Sequence, residues 1–155
     1  VTDFLGEMGV FSTGVGTNRP FHYILAPWVD GEVLAQKLER HKLPGVRFIP
    51  AAEKPYYGLF AQKRVTGIEI VVTDRHAFDP FLAGMAILRA LFELHPDRIP
   101  LSNQAAAEAL DTLLGSSRVR TSIIGGHSLM QIHSSLQGSM NDFIRKRREF
   151  LIYPE

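Results

Sequence analysis

Cysteine is absent from the 155 residues of the chain, which excludes disulfide bonds and thiolate metal sites. A large excess of charge is also absent, because 17 basic residues nearly balance 16 acidic ones. Non-specific nucleic-acid binding needs a large positive excess, so we predict no nucleic-acid partner. No apolar run is long enough to cross a bilayer, so no membrane span is predicted. The hydrophobic share of 45% is typical of a globular protein, and the length suits one domain over residues 1–155.

Apolar periodicity and helix-capping signals predict a compact two-layer α/β or α+β domain with a small mixed sheet and about four helices. The segment that opens the chain is expected to lead into a strand. Strands are predicted at 10–11, 21–25, 46–50 and 67–73. Helices are predicted at 31–42, 80–95, 103–114 and 129–143. Loops are predicted at 51–64 and 116–128, and residues 150–153 are expected to form an edge strand or a packed tail.

A glycine-rich stretch, GEMGVFSTGVGTNRPF, runs from Gly6 to Phe21. A phosphate-binding loop would need lysine where Val15 stands, and a dinucleotide-binding loop would need glycine where Arg19 stands. A nucleophile elbow would need glycine where Val10 stands. The pattern alone therefore favours a tight turn between two strands over these three kinds of site.

Among the carboxylates outside the predicted helices, three are candidates for a site: Glu7, Glu69 and Asp74. Glycoside hydrolysis usually needs two carboxylates roughly 5 to 10 Å apart. Asp74 follows the clearest strand and precedes Arg75, so two roles remain open for it: capping the turn that follows, or reaching a site at the strand end.

Histidine and aromatic residues give weaker signals. The six histidines show no metal-ligand spacing, so neither a metal nor a cofactor is predicted. Trp28 and the pair Tyr56–Tyr57 are typical of core or loop packing, although aromatic side chains near a cleft can stack on sugar rings.

Several segments in order resemble the C-terminal half of bacterial exo-β-N-acetylmuramidases, a family long catalogued as a domain of unknown function. The glycine-rich stretch is similar to that family's E-G-T-x-x-S-x-G-R-G-T motif and its following Pro-Phe pair. The matching residues are Glu7, Ser12, Gly14, Gly16, Thr17, Pro20 and Phe21. Four further segments look like family motifs: APWVDG at 26–31, LPGVRFIP at 43–50, GIEIVVTDRHAFDPFLAGMAIL at 67–88, and the ending FLIYPE.

The resemblance implies a domain that lines a substrate cleft beside a Rossmann-like N-terminal catalytic domain. Such enzymes remove N-acetylmuramic acid from the non-reducing end of peptidoglycan fragments, which implies a periplasmic or extracellular setting. Because the chain opens without an initiator methionine, we expect the N-terminal domain to lie outside it and the chain alone to be inactive. The alternative is a non-catalytic module that binds a glycan or a protein.

The resemblance also implies a set of site residues. Glu7 is the best catalytic candidate in the chain. The expected substrate-binding residues are Glu7, Ser12, Gly14, Gly16, Thr17, Arg19, Asp74 and Arg75. Between the two roles left open, we expect a structural one for Asp74 and a functional one for Arg75.

The chain departs from the family motif at three positions. Met8 and Gly9 replace Gly-Thr, and Val15 replaces an arginine that would suit the lactyl carboxylate of muramic acid. If a partner domain covers the glycine-rich stretch, Phe11, Val15 and Trp28 are expected to form an exposed apolar patch.

Overall fold

The computed structural model describes residues 2–153, without the side chain of residue 3, and is built around a three-stranded antiparallel sheet of order β1-β3-β2. The strands are β1 (Tyr23–Ala26), β2 (Val46–Glu53) and β3 (Val65–Val72). The helices are α1 (Asp3–Glu7), α2 (Gly31–Glu39), α3 (Pro80–Leu94), α4 (Gln104–Leu114), α5 (Arg118–Ile124) and α6 (Leu129–Arg147), followed by a 3₁₀ turn at Arg148–Phe150. None of the helices in this part of the chain is long and apolar enough to cross a membrane.

Helices cover one face of the sheet. Alternate residues of β3, Ile68 and Ile70, are buried in the main core with Leu34 and Leu38 of α2. The approach of α2 is close, because a Cβ on Gly31 would lie 2.1 Å from the Gly67 carbonyl oxygen. The expected two-layer α+β fold is confirmed, with the helical layer on one side of the sheet.

The other face of the sheet is covered by a loop. Tyr23, Leu25 and Val65 form a smaller buried cluster there, and Phe60 packs against it from the 54–64 loop. This cluster holds the 54–64 loop next to β1, which matters for the site described below.

Side-chain caps set the helix starts that the sequence predicts. Asp30 accepts from two backbone N–H groups at the start of α2, and Asp79 does the same before Pro80 at the start of α3. Asn103 caps α4, and Ser128 forms a capping box with Gln131 at α6. Such caps satisfy N–H groups that have no partner within the helix.

The architecture differs from the predicted one in several elements. The sheet is antiparallel, not mixed, and residues 2–153 hold three strands and six α-helices where about four of each are predicted. Residues 3–7 form α1 in place of an entry into a strand. Within the predicted loop 116–128, α5 forms because Val119 and Ile123 bury the same helical face. Residues 10–11 form no strand.

Predicted boundaries also change: α6 ends at Arg147, past the predicted 143, and α2 ends at Glu39, before the predicted 42. Strand β2 continues through Pro50 to Glu53, which is tolerated because β2 lies at an edge of the sheet. The tail is neither a strand nor packed, since Phe150 is 79% exposed and Tyr153 is 81% exposed.

Candidate functional site

The glycine-rich stretch runs along the outer edge of β1. Ser12 forms a single bridge with Leu25, in which the Ser12 N–H donates to the Leu25 carbonyl at 2.8 Å and the Leu25 N–H donates back at 2.9 Å. After Ser12 the chain turns sharply, with φ of 85° at Gly14 and 86° at Gly16. The Thr17 hydroxyl closes this turn by donating to the Gly14 carbonyl at 2.7 Å. We call residues 9–17 the glycine loop.

Close backbone contacts explain why glycine is needed in this loop. A Cβ on Gly14 would lie 2.6 Å from Cδ2 of Tyr23, and a Cβ on Gly16 would lie 2.3 Å from the Tyr57 carbonyl oxygen. The Tyr56 N–H also donates to the Gly16 carbonyl at 2.8 Å. The glycine loop is therefore held directly against the 54–64 loop.

A pocket of about 330 Å³ opens between α1, the glycine loop and the 54–64 loop. It is lined by Gly6, Glu7, Gly9, Phe11, Ser12, Thr13, Val15, Phe21 and Leu59. We call it the edge pocket. Its polar side chains are the exposed Glu7 and the buried Ser12 and Thr13, and the Ser12 hydroxyl accepts from the Gly14 N–H at 3.3 Å. Its exposed apolar groups are Phe21 and Leu59. A site with polar groups on some walls and apolar groups on others suits a ligand of mixed polarity, such as a sugar.

The Glu7 carboxylate is the acidic group of the edge pocket. Glu7 is the last residue of the short helix α1 and is exposed. No hydrogen bond or ion pair engages it within the part of the chain that the structure describes. The carboxylate is thus available to a ligand, but the described lining holds no second carboxylate that would complete the pair used in glycoside hydrolysis.

Of the other predicted site residues in the glycine-rich stretch, four lie in or beside the edge pocket and Arg19 lies outside its lining. Ser12 lines the edge pocket, and Gly14, Gly16 and Thr17 form the turn beside it. Arg19 lies outside the lining and forms an ion pair with Glu69 of β3.

The Arg19–Glu69 pair lies next to the smaller core cluster. Tyr23 is buried beside it, and this burial raises the pKa of the Tyr23 hydroxyl, with the carboxylates of Glu53 and Glu69 adding to the shift. The guanidinium of Arg19 offsets part of the negative charge at this edge of the sheet. Its ion pair with Glu69 gives it a role within the domain.

Asp74 and Arg75 lie apart from the edge pocket, in the turn that follows β3. The Asp74 N–H donates to the Gly45 carbonyl, and the Asp74 carboxylate accepts from the N–H groups of His76 at 2.8 Å and Ala77 at 3.3 Å. Asp74 therefore has the turn-capping role that the sequence favours. Arg75 is exposed in the same turn.

The predicted apolar patch is wrong for Phe11, which is only 2% exposed. Its ring packs on Trp28 with centroids 5.5 Å apart, and Trp28 in turn contacts His95 edge-on at 4.9 Å. Val15 and Trp28 are half-buried. The exposed apolar residues near the glycine loop are instead Phe21, Tyr56, Tyr57 and Leu59.

A larger depression of about 630 Å³ lies at the other end of β1, near the start of α2. Two of its polar side chains already have partners within the domain. The Asp30 carboxylate accepts from Glu32 and Val33, and the Thr66 hydroxyl donates to the Val29 carbonyl at 2.6 Å. The edge pocket is the better candidate site because the glycine loop and the predicted residues Glu7 and Ser12 line it, whereas none of the predicted site residues lines the larger depression.

Several lining residues of the edge pocket were not singled out from the sequence. Thr13 lies inside the glycine-rich stretch but is not among the residues that match the family motif. Leu59 lies 46 residues after Thr13 in the chain, and a single sequence carries no signal for that contact. Searching residues 2–153 finds no group of three or more side chains that could hold a metal ion.

The sheet, its helical layer and the edge pocket define a small α+β domain with a ligand-sized site beside a glycine loop. The chain belongs to the family described as the C-terminal domain of the exo-β-N-acetylmuramidase NamZ, which matches residues 4–153. It is 30% identical over 142 residues to the peptidoglycan β-N-acetylmuramidase NamZ of Bacillus subtilis (strain 168), covering 92% of this chain and 34% of that protein.

A solved structure has the same fold. A DUF1343 family protein from Bacteroides fragilis NCTC 9343 superimposes with a TM-score of 0.87 at 27% sequence identity, covering 99% of this chain and 41% of that one. The chain thus spans about a third of the Bacillus relative and about two fifths of the Bacteroides protein. The expected family is confirmed, and this chain is a domain associated with peptidoglycan glycosidases.

Proposed function

We propose that this chain lines the substrate cleft of a glycosidase that releases N-acetylmuramic acid from the non-reducing end of peptidoglycan fragments. The observation that carries the proposal is the edge pocket, where the free Glu7 carboxylate and the Ser12 hydroxyl meet apolar groups. Family membership and the activity named for the Bacillus relative support it.

The proposal includes a division of labour between two domains. Glycoside hydrolysis needs two carboxyl groups, and the described lining of the edge pocket provides Glu7 alone. We propose that residues 1–155 form one domain and that a Rossmann-like N-terminal domain, outside this chain, supplies the principal catalytic carboxylates. The edge pocket would then face the reacting sugar from one side.

Each residue of the site has a proposed role. Glu7 accepts a hydrogen bond from a sugar hydroxyl or serves as one of the two catalytic carboxyl groups. Ser12 and Thr17 bind hydroxyl or acetamido groups of the sugar, and the turns at Gly14 and Gly16 bring the backbone close to it. Arg75, an exposed cation, pairs with a carboxylate of the substrate.

The test compares hydrolysis of a chromogenic N-acetylmuramic acid glycoside by the 155-residue chain and by the full-length protein. We expect turnover by the full-length protein, a large loss of kcat in its Glu7→Gln variant, and no turnover by the chain alone. Turnover by the chain alone that disappears in Glu7→Gln would refute the division of labour.

A second candidate function is a non-catalytic module that binds a glycan or a protein. It is favoured by the same single carboxylate in the described lining of the edge pocket. Binding of peptidoglycan fragments by the full-length protein, without turnover of any N-acetylmuramic acid glycoside, would establish this candidate in place of the enzyme.

A further inference from the structure

Phe21 has an unusual backbone conformation for an aromatic residue. Its φ is 66°, in the left-handed region that residues with a side chain rarely adopt, and its ring is 59% exposed. Residues held in such conformations cluster at ligand-binding sites. The conformation of Phe21 therefore calls for a physical reason.

Phe60 shows what a structural reason looks like. Its φ of 64° is also left-handed, but its ring packs against both core clusters, so buried apolar contact offsets the strain. The ring of Phe21 belongs to neither cluster and instead lines the edge pocket. Core packing thus explains Phe60 but leaves Phe21 unexplained.

Hydrogen bonds on both sides hold the backbone of Phe21 in place. Its N–H donates to the Thr13 carbonyl at 2.7 Å, and its carbonyl accepts from the Thr2 hydroxyl at 3.2 Å. The next residue, His22, is fixed to the sheet because its carbonyl accepts from the Ile70 N–H at 2.7 Å. The exposed ring is therefore presented from a rigid backbone that ties the glycine loop to β3.

The composition of the edge pocket matches the two sides of a pyranose ring. A pyranose presents C–H groups on its faces and hydroxyl groups around its rim. The pocket offers the aromatic ring of Phe21 to the C–H groups of the sugar face. It offers the carboxylate of Glu7 and the hydroxyl of Ser12 to the hydroxyl groups of the rim. A rigid aromatic side chain contributes large contact area at low entropic cost.

We propose that Phe21 is a substrate-binding residue whose ring stacks on the face of a pyranose bound in the edge pocket. This inference rests on the proposed function, since it assigns the ring to the sugar of that same site. The left-handed backbone at Phe21 is the means by which the ring reaches the pocket mouth without being drawn into the core.

The decisive variant is Phe21→Gly in the full-length protein, because glycine accepts a φ of 66° without strain. We expect this variant to be at least as stable as the wild type, yet to raise KM for a chromogenic N-acetylmuramic acid glycoside about tenfold. Phe21→Tyr keeps an aromatic ring and should stay within about twofold of the wild-type KM. Tyr56→Leu is the matched control, since Tyr56 is 81% exposed and lies outside the pocket lining.

The outcomes separate the two proposals. Turnover with an unchanged KM in Phe21→Gly would overturn the stacking role and leave the proposed function intact. Glycan binding without turnover, weakened in Phe21→Gly but not in Tyr56→Leu, would support stacking and overturn the catalytic function. Absence of both turnover and glycan binding in the wild-type protein would overturn both proposals, and equal losses in Phe21→Gly and Tyr56→Leu would overturn stacking alone.

Discussion

Gly16→Ala tests the contact that joins the two walls of the edge pocket. Alanine at this position meets two penalties. Its φ of 86° is left-handed, which costs roughly 1–2 kcal/mol for a residue with a Cβ. The new Cβ would also lie 2.3 Å from the Tyr57 carbonyl oxygen, about 1 Å closer than ordinary contact, and the obstacle is backbone that cannot rotate away.

Relief of this clash requires the glycine loop and the 54–64 loop to separate. That movement would stretch the hydrogen bond from the Tyr56 N–H to the Gly16 carbonyl, worth about 1 kcal/mol. We therefore expect Gly16→Ala to lower the free energy of unfolding by about 3 kcal/mol, measured by urea denaturation followed through the fluorescence of Trp28, the single tryptophan.

Gly9→Ala is the matched control. Gly9 also has a left-handed φ, of 68°, but a Cβ there would meet nothing within 4 Å. Gly9→Ala should lower the free energy of unfolding only by the cost of the left-handed φ, roughly 1–2 kcal/mol. If Gly16→Ala destabilises the domain no more than Gly9→Ala does, the two loops are not held together by the contact described above.

Three further predictions concern the turn after β3 and the core. Asp74→Asn should lose at most about 1 kcal/mol, because an amide oxygen still accepts the two backbone N–H groups; a loss of several kcal/mol in denaturant would contradict this. Burial lowers the pKa of His95 below 6.5, so its contribution to stability is complete above pH 6.5 and is lost as pH falls from there through the folded pKa. In His95→Phe, the free energy of unfolding from urea denaturation should therefore depend less on pH over that range. Arg75→Ala in the full-length protein should raise KM more for a muramic acid substrate than for its N-acetylglucosamine analogue, and equal increases would show that Arg75 does not bind the carboxylate.

Local signals predict those parts of the fold that are determined locally. Asp79 followed by Pro80 marks the start of α3, and Asn103 and Gly115 bracket α4, because caps act on backbone groups only a few residues away. The alternation in β3 likewise reflects its position between a helical layer and a loop. These elements are confirmed within one or two residues at most ends.

Elements that depend on distant contacts escape the same reasoning. Helix α5 is short, and its three apolar residues are Val119, Ile123 and the exposed Ile124, so only its packing against the neighbouring helices distinguishes it from a loop. The edge pocket is similar: the glycine-rich stretch is visible in the sequence, but its other wall, with Leu59, comes from the 54–64 loop. The strain at Phe21 is invisible without backbone coordinates.

The charges of the edge pocket have a consequence for its ligand. Glu7 is its acidic group, and no described residue of the lining is cationic. Arg19, the one basic residue of the glycine-rich stretch, is paired with Glu69, and the lining residue Val15 is apolar. A muramic acid carboxylate entering this pocket would therefore meet a like charge, and its neutralising cation must come from outside the described lining.

The isolated chain should accordingly prefer a neutral amino sugar. Two unit charges 4 Å apart in water repel by about 1 kcal/mol, which corresponds to a roughly fivefold difference in Kd. We expect the chain to bind N-acetylglucosamine several-fold more tightly than N-acetylmuramic acid in NMR titrations at low salt. The gap should narrow as salt is added and close in Glu7→Gln, because salt screens the repulsion and the substitution removes it. Tighter binding of N-acetylmuramic acid by the wild-type chain would mean that a cation of this domain reaches the edge pocket after all, and Arg19→Ala and Arg75→Ala would then identify which arginine supplies it.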